Sequence, residues 1–159
     1  MTVQLFRIDD RLIHGQVVIG WANHLKTNRI VLCDEEIQSN GWEKELYLSC
    51  VPNNLKAVIY GLDDTLDYLS NNKSSDDKTI VLVKGPEVAR KLLDRGYTPE
   101  NINIGGIHFA DSRHKYLSYL YLNESEVSDL EYIMEKGIKI YCQDIPTGKK
   151  YNLGELLNK

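Results

Sequence analysis

Thr79-Ile-Val-Leu-Val83 is the segment that most strongly constrains the architecture of this chain, because four of its five residues are apolar. Short continuous apolar runs are typical of strands that are buried on both faces, as in a parallel sheet covered by helices. A strand with one solvated face would alternate apolar and polar residues instead. The segment therefore predicts a central parallel strand with helices packed above and below it.

The rest of the chain alternates between similar apolar runs and longer amphipathic stretches. We predict further strands at residues 3–8, 29–33, 56–60, 101–104, 117–122 and 138–142. We predict helices at residues 15–25, 42–50, 63–69, 86–93 and 124–135. At 159 residues, this pattern predicts an α/β fold: a single three-layer domain with a mainly parallel central sheet of about six to seven strands flanked by helices.

Composition narrows the classes of partner. The chain is 42% hydrophobic and 26% charged, with a formal net charge of −4, which is ordinary for a soluble globular protein. The negative charge, with no basic cluster denser than Lys149-Lys150, argues against a nucleic-acid partner. No apolar run approaches the roughly 20 residues of a transmembrane helix, and the N-terminus lacks the layout of a signal peptide. We expect a chain that does not span a membrane.

Cysteine usage indicates a reducing compartment, the cytoplasm. Cys33, Cys50 and Cys142 form no Cys-x-x-Cys pair, which argues against a disulfide framework or a zinc site. Cys33 and Cys142 each end an apolar run, so we predict buried thiols in strands. The chain also lacks a P-loop, a Gly-x-Gly-x-x-Gly motif and a metal-ligand cluster. We expect no cofactor and no metal.

The segment Arg7-Ile-Asp-Asp-Arg-Leu-Ile-His-Gly-Gln16 carries the chemistry. It places His14 where the first strand gives way to a helix, at the sheet edge where ligands bind in open parallel sheets. An imidazole with arginines nearby has what is needed to accept a phosphoryl group and hand it on. The alternative is a strand-to-loop junction with solvated charges.

Each side chain in this segment has a candidate task. His14 attacks phosphorus, and Arg7 and Arg11 neutralise charge on the phosphoryl oxygens. Asp9 or Asp10 orients the imidazole, or either one pairs with an arginine to hold the loop. The next two residues are candidates to support the phosphoryl group. Gly15 permits a sharp turn and a close approach of the backbone to the ligand. The side-chain amide of Gln16 donates to the phosphoryl group or caps the helix.

Other residues at the predicted strand ends are candidates for the rim of the site. Asp34 ends the second strand and either shapes the rim or caps a helix. Gly105 and Gly106 form a predicted turn after the fifth strand, and His108 follows it. His108 contacts the phosphoryl group, a partner or the substrate, or it is a loop histidine whose hydrogen bonds are satisfied locally.

Two functions of other classes compete with a histidine phosphocarrier. A signalling receiver module would use Asp9-Asp10 and Lys84, but the third strand ends in Ile59-Tyr60-Gly61 without an acceptor aspartate. A non-catalytic module would use the loop only as an anion-binding site. A receiver would carry an acyl phosphate that is labile in alkali, and a binding module would bind phosphate without any covalent label.

The segment from Arg7 to Val17 resembles the active-site signature of the IIB components of the mannose/fructose/sorbose family of the phosphoenolpyruvate-dependent sugar phosphotransferase system. The resemblance extends along the chain through Val31-Leu-Cys-Asp34, Asn103-Ile-Gly-Gly106 and Ile145-Pro-Thr-Gly148.

The resemblance implies that residues 1–159 form a single cytoplasmic IIB phosphocarrier domain with a parallel-sheet core. It also implies that His14 takes a phosphoryl group from a phosphohistidine on the IIA partner. The phosphoryl group then passes to a sugar during uptake through the IIC and IID membrane subunits. The identity of the sugar, the oligomeric state and the phosphorylated nitrogen stay open at this stage.

Overall fold

A seven-stranded sheet forms the centre of the computed structural model, which describes residues 1–158. The strands are β1 (Thr2–Asp9), β2 (Arg29–Cys33), β3 (Lys56–Tyr60), β4 (Lys78–Val83), β5 (Asn101–Gly106), β6 (His114–Leu117), β7 (Leu120–Leu122), β8 (Lys139–Cys142) and β9 (Tyr151–Asn152). The order across the sheet is β3-β2-β4-β1-β5-β8-β9, and β6 pairs separately with β7. Within the main sheet β9 runs antiparallel to β8, and the other neighbours are parallel.

Helices cover both faces of this sheet. The first, α1, begins with π-helical turns at Gln16–Trp21 and ends as an α-helix at Ala22–Leu25. The others are α2 (Glu35–Ser39), α3 (Gly41–Ser49), α4 (Leu62–Asn71), α5 (Pro86–Asp94), α6 (Glu124–Glu135) and α7 (Leu153–Leu157). No helix within residues 1–158 is long and apolar enough to cross a bilayer.

Two apolar clusters, one on each face of the sheet, form the core. Ile80 and Leu82 of β4 belong to the cluster under α1 and α2, whereas Val81 and Val83 belong to the cluster under α4, α5, α6 and α7. All four side chains have no solvent exposure. The prediction of a central parallel strand buried on both faces, in a three-layer α/β domain, is confirmed.

The strand order brings the loop after β1 to a reversal point of the topology. The chain leaves β1 toward β2 on one side, and it later passes from β4 to β5 on the other side of β1. Crevices at such reversals, beyond the carboxyl ends of the strands, are where ligands bind in open α/β sheets. The loop that contains His14 therefore begins at the centre of the sheet edge.

Residues 117–122 do not form a strand of the main sheet, which corrects the prediction. They contribute to an antiparallel hairpin of β6 and β7. Ile107 joins this hairpin through a bridge to Leu120, and its N–H donates to the carbonyl of Tyr119 at 3.0 Å. The hairpin therefore continues beyond the end of β5. Alternation of apolar residues cannot reveal a turn at Ser118 when the flanking residues are also apolar.

Several local features also differ from the prediction. The elements α2, β9 and α7 are too short, at five, two and five residues, to give a periodic signal. Gly105 and Gly106 lie within β5 and are not a turn. The N–H of Asp10 donates to the carbonyl of Gly106 at 3.0 Å, so pairing with the β1 end extends β5 through both glycines.

Candidate functional site

A tight, buried turn connects β1 to α1 and sets the position of His14. Leu12 adopts left-handed backbone geometry with φ of 60°, and its N–H donates to the carbonyl of Asp9 at 3.0 Å. That geometry is unfavourable for a residue with a Cβ by roughly 1–2 kcal/mol. The side chain of Leu12 is 2% exposed in the core under α1, and this burial offsets the strain. Core packing thus holds the loop in one shape.

Asp9 is the central group of the site. Its carboxylate lies 3.0 Å from Nε2 of His14 and accepts from Nη2 of Arg7 at 3.1 Å. It also accepts from the backbone N–H of Arg11 at 3.0 Å and from Nε of Arg11 at 3.3 Å. Asp9 itself has no solvent exposure. A single buried carboxylate therefore organises both arginines and the histidine.

The environment of Asp9 keeps this carboxylate ionised. Burial by itself raises the pKa of Asp9, but the hydrogen bond to His14 and the charge of Arg7 act in the opposite direction. The net result is a pKa lowered from 3.8 to about 2. At neutral pH the carboxylate is a hydrogen-bond acceptor only, so the imidazole nitrogen that faces it carries the proton.

Arg7 is a buried structural partner of Asp9. Its Nη1 donates to Oδ1 of Asn103 at 2.6 Å, and its Nη2 donates to the carbonyl of Asp144 at 2.9 Å. The ring of Trp21 lies over the guanidinium, with 5.4 Å from Cζ to the ring centroid. Burial lowers the pKa of Arg7, and Asp9 opposes that shift. Because Arg7 has no solvent exposure, it does not reach a phosphoryl group directly, which corrects the sequence-based expectation.

Gly105 supports the same arginine. A Cβ at this position would overlap the guanidinium of Arg7, so no other residue fits without moving the arginine. Sequence reasoning missed Asn103 and Asp144, which accept hydrogen bonds from the Arg7 guanidinium. Both fall in or next to segments quoted for the family resemblance, yet neither has a local pattern that pairs it with Arg7, 96 and 137 residues away.

The second nitrogen of His14 faces the start of α1. The backbone N–H of Gln16 donates to Nδ1 at 3.2 Å, and the imidazole is 18% exposed. Above it, the Arg11 guanidinium donates to Oε1 of Gln16, and Arg11 is 38% exposed. The site therefore presents a partly exposed imidazole, whose Nδ1 accepts from a backbone N–H group, near a partly exposed guanidinium.

Gly15 does not make the sharp turn that the sequence suggested. Its φ of −55° and ψ of −38° are ordinary helical values, and a Cβ there would meet no atom within 4 Å. The strained residue in the loop is Leu12 instead. Open space beside Gly15 leaves room for a group attached to His14.

Asp10 points to a different histidine. Its Oδ1 lies 2.6 Å from Nδ1 of His108, and its Oδ2 accepts from the backbone N–H of His108 at 2.8 Å. Next to them, a Cβ on Gly106 would lie 2.7 Å from Cε1 of His108. Of the two aspartates that sequence reasoning left open, Asp9 therefore contacts the His14 imidazole and Asp10 does not.

Asp34 caps a helix and does not reach into the site. Its side chain accepts from the N–H of Ile37 at 3.0 Å at the start of α2. Its strand, β2, is separated from β1 by β4. Within residues 1–158, no group of three or more His, Cys, Asp or Glu side chains is arranged to hold a metal ion.

Comparison with known proteins agrees with this arrangement. The family model for the IIB component of the sorbose subfamily of the phosphotransferase system (PTS) matches residues 3–159. The chain belongs to this family. Its relatives include IIB components named for N-acetylgalactosamine, fructose and sorbose and an EIIAB component named for mannose, so the predicted family is confirmed.

Individual relatives of this IIB component match along nearly their whole length. The N-acetylgalactosamine-specific IIB component 1 of Escherichia coli K12 is 24% identical, with 93% of this chain and 94% of that protein covered. The fructose-specific EIIB component of Bacillus subtilis 168 is 25% identical, with coverage of 99% and 96%. The crystal structure of manxB from Thermoanaerobacter tengcongensis superposes with a TM-score of 0.91 at 30% identity, covering 99% and 96%. Family membership gives the chain a transferase role: phosphoryl transfer in sugar uptake.

Proposed function

We propose that His14 carries the phosphoryl group of this IIB component on Nδ1. In this proposal, His14 accepts the group from a phosphohistidine on a IIA protein. It then donates the group to a sugar during uptake through IIC and IID membrane subunits. The observation that carries the proposal is the contact of 3.0 Å between Nε2 of His14 and the buried carboxylate of Asp9.

That contact is the reason for assigning Nδ1 as the nucleophile. Because Asp9 is ionised, Nε2 holds the proton and donates it to the carboxylate, and the lone pair remains on Nδ1. As Nδ1 forms its bond to phosphorus, the bond from phosphorus to the donor nitrogen breaks and its electron pair returns to the donor. The ring of His14 then becomes positive, and Asp9 stabilises that charge.

The groups around Nδ1 have roles in the transition state. Phosphoryl transfer is loose and in line, with negative charge spread over three equatorial oxygens. The backbone N of Gln16 lies 3.2 Å from Nδ1. Once Nδ1 is bonded to phosphorus, this N–H donates to a phosphoryl oxygen instead of to the ring nitrogen. Arg11 is the arginine that neutralises these oxygens, since its guanidinium is 38% exposed while Arg7 is buried. Arg7 is a positioning residue that acts through Asp9.

The same proposal defines the partners and the location. A IIA protein and a membrane transporter both present their reacting groups to the partly exposed face of His14. We place the chain in the cytoplasm, in peripheral association with the IIC and IID subunits. The relatives are named for several different sugars. The proposed acceptor is therefore a sugar hydroxyl, without a choice among these sugars.

Mass spectrometry with peptide mapping tests the proposal. Wild type, His14→Ala and the control His24→Ala are incubated with phosphoenolpyruvate, the general phosphotransferase proteins and a cognate IIA. We expect one phosphoryl increment on the His14 peptide in wild type and in the control, and none in His14→Ala. The label should survive alkali and be lost in acid, and chromatography after alkaline hydrolysis should give Nδ1-phosphohistidine. A label that is labile in base, or one on Nε2, would contradict the proposal.

A further inference from the structure

Two adjacent carboxylates each hold one histidine, and they hold opposite ring nitrogens. Asp9 contacts Nε2 of His14 at 3.0 Å, and Asp10 contacts Nδ1 of His108 at 2.6 Å. The first arrangement leaves Nδ1 of His14 available, and the second leaves Nε2 of His108 available. The side chain of His108 is 39% exposed, so the imidazole is partly accessible from solvent.

A network anchored in α6 fixes His108 in place. Arg113 donates from Nη1 to the carbonyl of His108 at 2.8 Å. Glu126 holds Arg113 with two bonds of 2.9 Å and also accepts from the backbone N–H of Asn123 at the start of the helix. Asp10 adds the bond of 2.8 Å from the backbone N–H of His108. Both the backbone and the ring of His108 are therefore oriented before any ligand arrives.

His108 lies next to Arg11, the arginine assigned to the phosphoryl oxygens. Both side chains pack against the same face of Gly106: a Cβ there would lie 2.7 Å from Cε1 of His108 and 3.4 Å from Nη2 of Arg11. The same Nη2 donates to Gln16 beside Nδ1 of His14. Arg11 therefore lies near both histidines: it reaches the start of α1 beside His14 through Gln16, and it shares the surroundings of Gly106 with His108.

We propose that His108 is the general base for the sugar hydroxyl when the phosphoryl group leaves His14; this inference rests on the proposed function. The hydroxyl oxygen forms the new bond to phosphorus as the bond from phosphorus to Nδ1 of His14 breaks, and that electron pair returns to Nδ1. The hydroxyl proton passes to Nε2 of His108 and is later released to solvent. Asp10 is a positioning residue that fixes the tautomer of His108.

In-line geometry explains why His14 does not take this proton itself. The attacking oxygen and the leaving nitrogen lie on opposite sides of phosphorus, so Nδ1 of His14 is remote from the incoming hydroxyl. Asp9 faces Nε2 of His14 and is fully buried. The charged and titratable groups around His108 are Asp10, Arg11, Arg113 and, behind Arg113, Glu126, and neither arginine accepts a proton. Glu126 is engaged by Arg113, so His108, with Asp10 behind it, is the group beside Arg11 that we assign as the base.

The test separates charging of His14 from its discharge. Wild type, His108→Gln, Asp10→Asn and the exposed control His114→Gln receive labelled phosphate from phosphoenolpyruvate, the general phosphotransferase proteins and IIA. They are then mixed with membrane vesicles carrying the transporter subunits and with D-mannose, D-fructose, L-sorbose and N-acetyl-D-galactosamine. We expect His108→Gln to charge at close to the wild-type rate and to form sugar phosphate about 100-fold more slowly or worse. Asp10→Asn should show a smaller defect in the same step.

Rescue by free imidazole distinguishes a base from a structural histidine. Added imidazole should restore part of the sugar-phosphate formation of His108→Ala and leave wild type unchanged. Discharge of His108→Gln at the wild-type rate, or an equal loss of charging and discharge without rescue, would overturn the inference while leaving the role of His14 intact. Failure of wild type to take label on His14 would instead remove the proposed function.

Discussion

Replacement of Asp9 by asparagine gives the sharpest test of how the site is built. Asn has nearly the same shape as Asp but carries no charge and presents an amide N–H₂ in place of one oxygen. In the folded protein Oδ2 of Asp9 faces Nη2 of Arg7, Nη2 of Arg11 and Nε2 of His14, and Oδ1 faces the backbone N–H and Nε of Arg11. The substitution therefore leaves the buried Arg7 without its counterion and changes the partner of His14.

The expected loss of stability follows from burial. Removal of one partner of a buried ion pair typically lowers the free energy of unfolding by about 3–5 kcal/mol, and both Arg7 and Asp9 have no exposure. Because the pKa of Asp9 is lowered from 3.8 to about 2, its stabilisation is complete above the unfolded-chain value and is lost as the pH falls toward about 2. On these values, about 1 kcal/mol disappears between about pH 5 and pH 3.

The expected loss of activity follows from the tautomer. Asparagine would donate its amide N–H to Nε2 of His14, so the imidazole proton would move to Nδ1. That proton would face the Gln16 N–H, and the nucleophilic lone pair would be lost. A wrong tautomer in a catalytic histidine slows reactions by up to about 10⁴-fold. We expect phosphorylation of Asp9→Asn to fall by at least about 100-fold at neutral pH.

Urea unfolding followed by circular dichroism, at pH 3, 5 and 7, measures the stability prediction, and labelled phosphate measures the activity. The control is Asp111→Asn, in an exposed loop, which should match wild type throughout. The difference in unfolding free energy between wild type and Asp9→Asn should shrink from pH 5 to pH 3. A difference that does not change with pH, or normal phosphorylation of the variant, would refute the reasoning about Asp9.

Three further predictions concern neighbouring positions. Gly105→Ala should lower the free energy of unfolding by about 2–4 kcal/mol, because its Cβ would overlap the guanidinium of Arg7. Gly15→Ala should change the free energy of unfolding by less than about 1 kcal/mol, because its Cβ would meet no atom. Urea titration of both variants measures the difference. Arg11→Ala should slow phosphorylation about 100-fold with a stability change below about 1 kcal/mol, since the side chain is 38% exposed; a matched loss of fold by circular dichroism would oppose a specific role. A thiol reagent should modify Cys50 in the native state and reach the two buried cysteines, whose thiol pKa values burial raises, only on unfolding.

Local sequence signals were sufficient for the parallel strands of the main sheet and for the loop that contains His14. The run at 79–83 indicated a doubly buried strand, because in an α/β fold a continuous apolar run is typical of a parallel strand covered by helices on both faces. Charged residues and a histidine after the first strand indicated the loop with His14, since strand ends gather at one sheet edge. Short elements such as α2 and β9 escaped because five or two residues give no measurable periodicity.

The assignment of tasks within the site depended on tertiary structure. The two aspartates are chemically identical neighbours in sequence, yet Asp9 meets His14 and Asp10 meets His108, 98 residues away. Likewise, Arg7 and Arg11 are equal candidates in sequence, but one is fully buried and the other is 38% exposed. Asp10 and Arg11 lie beyond the end of β1, where strand alternation no longer fixes a side chain's direction, so only the packing around the turn determines which side chains reach solvent.

The sequence by itself therefore determined the architecture, the family and the position of the loop that contains His14, because these depend on hydrophobic patterning and on a contiguous motif. Only the tertiary structure decided which nitrogen of His14 is available, why Gly105 must be glycine and where His108 lies. Those properties arise from contacts between residues far apart in the chain, such as Arg7 with Asn103 and Asp144. Such contacts leave no local trace in composition, spacing or periodicity.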